Sequence, residues 1–327
     1  MTHPRPPLPV QPARGGRAGL WVTAIAVVYL AALAYFDRDR NILSQLAELA
    51  VPLSACAALV LLSYVCRYQR WRRVLAAQGH PVHAWWQGLV AYLAGFSFTA
   101  SPGKAGELLR IRYFSWQGIP AQATLTAFIF ERAIDLLIIT LLSIGAATLF
   151  PAFGMLVLII LLVLLALLAL ACWPPLARWS RGLSARLPGT RVRRTADFLI
   201  DGGTALAPLL RTRLLLGSMG WGSAAWLLTA AAFAWLCHSS GISVPAPLLL
   251  GIYPMAMLIG ALSFVPGGVG TTEAAIVLML VACGVKADAA LAIAIGIRLA
   301  SLWLAVLVGM LAMAALESRT LRAAARR

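Results

Sequence analysis

At 327 residues, with 61% hydrophobic and 12% charged residues and a mean hydropathy of +0.86, the chain is not a soluble domain. Its formal charge of +16 raises nucleic acid as a partner. The arginines, however, sit in short loops between apolar runs, where they set orientation and attract anionic headgroups, so no nucleic-acid partner is expected. The runs reach the roughly 20 residues needed to cross a ~30 Å hydrocarbon core, and short alternating barrel strands are missing. The class is an all-α polytopic membrane protein.

Residues 1–18, rich in Pro, Gly and Arg, read as a disordered basic tail on the cytoplasmic side. A first span covers about 19–36. Its basic lead and Ala32-Leu33-Ala34 also fit a cleaved signal peptide, but the run is long enough to span. A slightly acidic external loop at 37–48 leads to a second span at about 49–66. Arg67, Arg70, Arg72 and Arg73 then mark the internal side. Residues 84–112 begin and end on that side, which predicts a re-entrant hairpin or two tilted half-spans. Spans at about 121–150 and 152–173 follow, then the most basic loop, from Arg178 to Arg213. A fifth span, about 214–236, exits to an uncharged loop. Residues 247–264 return, and 271–285 cover only ~22 Å, too short for a full crossing. The last span, about 289–316, ends in a basic cytoplasmic tail, 317–327. The expectation is a single membrane domain, 19–316, with about six full spans and two broken hairpins.

The hairpins share a pattern. SFVPGGVGTTE places Pro266, Gly267, Gly268, Gly270 and Glu273 inside an apolar region; SPGKAGELLR places Pro102, Gly103, Gly106 and Glu107 likewise. Each has a P-G-x-x-G core followed by glutamate. Proline removes a backbone donor and glycine removes the steric bias toward helix. Broken backbone at membrane depth survives only when it is buried in protein or lines a wet cavity. The two prolines lie 164 residues apart, and the halves, 19–150 and 152–316, match element by element with inverted direction. That is the inverted-repeat plan of transporters.

Charges within the spans are the other signal. Glu131 and Asp135 share a helix face, with Arg132 able to pair with Asp135. Arg298 sits at a depth similar to Glu131. Such charges either lock helices through Glu131–Arg298 or Arg132–Asp135 bridges or bind a charged ligand. Lys104, Glu107, Arg110 and Arg112 surround the first break, where a helix start and a lysine suit a phosphate headgroup; an ordinary re-entrant turn is the alternative. Glu273 falls in the first turn after the second break, where it also stabilises the helix dipole. The Arg178–Arg194 run fits an interfacial helix or simple topology enforcement. Tryptophans near span ends fit an aromatic belt. The five cysteines and four histidines show no ligand spacing, so neither metal nor cofactor is expected. With no Walker loop, nucleophile elbow or zinc motif, an enzyme is not expected.

At PGKAGE, at Glu131-Arg132-x-x-Asp135 and at PGGVGTTE, the sequence resembles the lysylphosphatidylglycerol synthase transmembrane-region family, which includes the flippase half of the bacterial multiple peptide resistance factor. The resemblance covers nearly all of the chain after residue 18. It implies an integral membrane fold with re-entrant segments and a role in moving or handling polar lipids. The C-terminal soluble aminoacyl-transferase domain of the full resistance factor is not in this sequence, which puts synthesis of an aminoacylated lipid in doubt and leaves translocation as the expectation. The expected function is therefore a flippase-like transporter of phospho- or glycolipids in the bacterial inner membrane, with both termini cytoplasmic. Its path would run past Lys104, Glu107, Arg110, Glu131, Arg132, Asp135, Glu273 and Arg298. Membrane lipids with charged headgroups are the expected partners, with lipid-biosynthesis proteins as candidate protein partners. The alternatives are a membrane-embedded lipid-linked transferase and a non-catalytic scaffold of an envelope-synthesis complex.

Overall fold

The computed structural model describes residues 42–325 other than 187 and 264, together with positions 23, 24 and 27. The tail at 1–18 and most of the span expected at 19–36 lie outside the described residues. A short helix α1 (Ile42–Glu48) leads into α2 (Ala50–Ala77). Helices α3 (Trp85–Ala94) and α4 (Arg110–Ser115) flank the first break, and α5 (Ala121–Leu149) and α6 (Gly154–Cys172) form a hairpin. The basic loop folds into α7 (Pro174–Ser184) and α8 (Thr190–Ala205). After α9 (Thr212–Ser239), helices α10 (Ala246–Leu262) and α11 (Thr271–Ala282) flank the second break. Finally α12 (Ala287–Arg298) passes through a π-helical turn, Leu299–Trp303, into α13 (Leu304–Ala325).

Four stretches are long and apolar enough to cross a membrane: α2, α6, α9 and Ala287–Ser318. Helix α5, at 29 residues, reaches about 43 Å but carries Glu131, Arg132 and Asp135. Among the described residues every regular element is helical.

Two expectations need correction. Helix α2 does not end at Cys66 but continues to Ala77, so Arg67, Arg70, Arg72 and Arg73 belong to the helix. The reason is a buried face that continues through Tyr64, Trp71, Val74 and Leu75 at helical spacing. The loop expected at 37–48 contains α1, whose Leu46 packs against Ile295 of α12.

Helices α2 and α9 pack antiparallel along their length. The Cys56 thiol donates to the Ala232 carbonyl (3.1 Å) toward one end, and Arg73 lies over Trp221 (5.2 Å) at the other. Helix α10 packs on α5, and α13 packs on α3 and the turn after it. Lipid offers little hydrophobic drive for helix association, so small residues that allow close approach matter. Gly309 lets α13 lie directly on the Phe96–Ser97 backbone. Helix α6 is peripheral and shows Leu158, Ile159, Leu162, Val163 and Leu165 outward, as a lipid-facing helix would. The two breaks touch: the run Pro102–Leu109 contacts the turn Pro266–Gly268.

Because a Cβ at position 309 would strike backbone that cannot step aside, Gly309→Ala should cost about 1–3 kcal/mol. Gly220→Ala, where a Cβ meets nothing, should change little. Thermal unfolding of the two variants in detergent checks this, and equal unfolding temperatures would contradict it.

Candidate functional site

The first break gathers five segments onto one buried cluster. Arg67 and Arg70 project from one face of α2, three residues apart. Tyr92 comes from α3, Glu107 from the 3-10 run Pro102–Leu109, Arg110 from the start of α4, and Glu131, Arg132 and Asp135 from α5. Glu131 is 1% exposed and accepts from Arg70 (3.0 Å), Arg110 (3.1 Å) and the Tyr92 hydroxyl (2.6 Å). Asp135 bridges Arg67 (2.9 Å), Arg70 (2.8 Å) and Arg132 (3.1 Å). Glu107 pairs with Arg110 (3.2 Å) and accepts from Thr99 (3.1 Å).

Two glycines make room for this. A Cβ at Gly95 would sit 2.6 Å from Arg110 Cγ and Nε, and one at Gly222 would sit 2.6 Å from Arg70 Nη1. The Arg110 guanidinium lies 3.8 Å from the Tyr92 ring centre, with Trp71 and Phe96 each at 5.1 Å. Aromatic faces stabilise a desolvated cation that water cannot reach.

The second break builds a smaller, neutral cluster. Gly267 at φ +64° and Gly270 at φ +83° turn the chain through conformations that L side chains rarely adopt. The broken backbone is then satisfied by charged side chains. Arg298 donates to the Gly267 carbonyl and to Glu273 (3.0 Å), while the Gly270 N–H donates to Glu273 (2.8 Å). The last contact is the backward half of a capping box at the start of α11.

Between the clusters lie two adjoining cavities of about 300 and 100 Å³. Both are lined by Arg132, Trp226, Met257 and Gly267. Ser101 and Thr272 line the larger, and Arg298 and Ser301 the smaller. Arg132 exposes 25% of its side chain, against 11% or less for the other charged members of the two clusters. Its Nε has no hydrogen-bond partner. In the first cluster four arginines (67, 70, 110, 132) face three carboxylates (107, 131, 135), a formal excess of +1. Arg132 is where that excess meets the cavities.

The structure thus gathers Glu107, Arg110, Glu131, Arg132 and Asp135 in one cluster and Glu273 with Arg298 in the other. The Arg132–Asp135 bridge forms. The Glu131–Arg298 bridge does not, because each residue is taken by nearer partners at its own break. Arg110 does not stand free for a headgroup, since it is buried and paired on both sides. Arg112 pairs instead with Glu317 of α13 (3.3 Å). The Lys104 side chain lies outside the described residues. Arg67, Arg70 and Tyr92 join the site without being expected there.

Removing one partner of a buried pair leaves an uncompensated charge and costs about 3–5 kcal/mol. Glu131→Gln and Arg110→Gln should each destabilise the protein on that scale. The double variant should fall short of the summed losses by at least ~1 kcal/mol in denaturant unfolding. Fully additive losses would contradict the pairing.

No curated protein matches the sequence. The family model described as "Lysylphosphatidylglycerol synthase TM region" matches residues 18–309, a stretch that contains both breaks and every charged residue of the two clusters. The chain therefore belongs to the lysylphosphatidylglycerol synthase TM region family, as a multi-pass helical membrane protein.

Proposed function

We propose that the protein is a flippase-like transporter of polar lipids, phospho- or glycolipids, whose headgroups pass between the two breaks while the acyl chains stay in the bilayer. The observation that carries this reading is the pair of cavities between the breaks, with Arg132 as the partly exposed charge of the adjoining cluster. The larger cavity, at about 300 Å³, is at the lower end of small-ligand pockets. Most charged side chains around it are buried and spent on one another, so they shape the wall; Arg132, itself bridged to Asp135, is the one with a quarter of its side chain exposed for a ligand to reach.

An inverted repeat supports transport, and the helix packing agrees with one. With halves offset by about 164 residues, α2 corresponds to α9, α3 to α10, and α5 to α12 with α13. Contacts between the halves then come in reciprocal form: α2 on α9, the first break on the second, and α10 on α5 matched by α13 on α3. Alternating access in such folds is rocking of one repeat against the other around a fixed site. In this reading the arginine-rich ends place both termini on the cytoplasmic side, by the positive-inside tendency, and the membrane is a bacterial inner membrane. Drive would come from a gradient or simple equilibration, with no catalytic step and no cofactor required of the chain. A scaffold reading draws on the same dense ion pairing, which would lock helices without moving anything.

Arg132→Gln separates these readings. It removes the surplus cation and leaves three arginines opposite three carboxylates, so folding should hold. In proteoliposomes, transbilayer movement of labelled lipid should fall at least tenfold relative to wild type, with the unfolding temperature within a few degrees. Anionic, cationic and zwitterionic lipids assayed side by side report headgroup preference. No movement of any lipid by folded wild type would turn the reading toward the scaffold; movement unchanged in the variant would remove Arg132 from the path.

A further inference from the structure

We propose that a notch of three arginines beside the end of α2 and the start of α9 binds the phosphate of an anionic lipid headgroup, separately from the central cavities. The notch encloses about 510 Å³ and is lined by Arg73, Arg211, Arg213, Leu214 and Gly217. Because α2 and α9 run antiparallel, Arg73 in the last turns of α2 faces the first turns of α9, where Arg211 is the N-cap residue and Arg213 follows. Arg73 passes beside Gly217, its Nη1 3.5 Å from where a Cβ would stand. Trp221, one turn on, lies 5.2 Å from the same guanidinium and holds Arg73 across α9.

These arginines have no acid beside them. Arg67 and Arg70, earlier on α2, are matched by Asp135 and Glu131; Arg181 and Arg193 have Asp201 and Asp197. None of Arg73, Arg211 and Arg213 pairs with a carboxylate among the described residues, and no carboxylate lines the notch. The first-turn N–H groups of α9, a 28-residue helix, add partial positive charge at the same place. Guanidinium forks match phosphate oxygens two at a time. The wall is apolar at Leu214, and the adjacent Leu216 is 64% exposed, which gives acyl chains a surface beside the charge. A lipid uses both features; free phosphate uses one.

The height of the notch agrees. Gln78, just beyond α2, donates to the Ala123 carbonyl (3.2 Å), so the start of α5 lies at this end. Exposed Trp86 and Trp116 sit at the same end, as interfacial tryptophans do. The notch stands independently of whether the central cavities transport anything.

Native mass spectrometry of the full chain in detergent, titrated with phosphatidylglycerol or phosphatidylcholine, tests this. The triple variant Arg73→Gln/Arg211→Gln/Arg213→Gln should bind phosphatidylglycerol roughly a hundredfold more weakly than wild type, at about fivefold per arginine. Phosphatidylcholine binding should not respond. The double variant Arg211→Gln/Arg213→Gln keeps the Arg73–Trp221 contact and should be intermediate, which guards against a folding defect. Arg181→Gln/Arg193→Gln should match wild type. Wild-type affinity in the triple variant would overturn the proposal. So would complete displacement of the lipid by inorganic phosphate at equal concentration, which would reassign the notch to a free anion.

Discussion

The fold depends on one constraint: a charge or an open backbone group inside a membrane must find its partner inside the protein. Broken helices and buried charges are each costly there. In this protein the two costs offset one another. At the second break, Arg298 satisfies the Gly267 carbonyl and Glu273 satisfies the Gly270 N–H, while the two side chains satisfy each other. At the first, Glu131 gathers donors from α2, α3 and α4 at once, so the hairpin is fastened to the neighbouring helices by a single carboxylate. Replacing such a network with apolar side chains can be neutral for stability, so its visible effect is on where the helices meet.

Much of this is legible in the sequence because proline, glycine and charge are conspicuous in an apolar background. Both breaks, the α5–α6 hairpin and the membrane charges at Glu131, Arg132, Asp135, Glu273 and Arg298 stand out from the residue pattern alone. Arg67 and Arg70 do not, because arginines at the end of an apolar run are indistinguishable from topology signals. Only their partners on α5, 61 to 68 residues away, reveal them as buried. The Glu131–Arg298 expectation fails for a related reason. Equal depth in two helices says nothing about which faces meet, and each residue has a closer partner of opposite charge. The sockets at Gly95 and Gly222 are hidden for the same cause: a helical glycine announces close approach, but not what approaches.

Surface and interior divide the remaining work. Helix α6 turns a wall of leucine, isoleucine and valine outward, where burial in the protein would gain little over lipid. The end carrying Arg73, Arg211 and Arg213 combines exposed cations with exposed tryptophans, which is the chemistry of a headgroup layer. Between these surfaces the breaks hold a largely apolar-walled space with a few polar groups, which plain helices would have filled. The family membership, the cavities and the partly exposed Arg132 are the observations on which the proposed handling of a lipid headgroup rests.

The meeting of the two breaks can be tested directly by cross-linking. Ala100 belongs to a buried cluster on which Val269 packs. Cysteines would be placed at 100 and 269 in a chain stripped of its five native cysteines. A protease site in the exposed turn between α7 and α8 would then allow the halves to be cut apart. With a short bifunctional thiol reagent in native membranes, the cleaved halves should stay covalently joined on a denaturing gel. A control pair at 56 and 232, across α2 and α9, should also join them. Halves that separate in the 100/269 chain while the control remains linked would contradict a centre built from the two breaks.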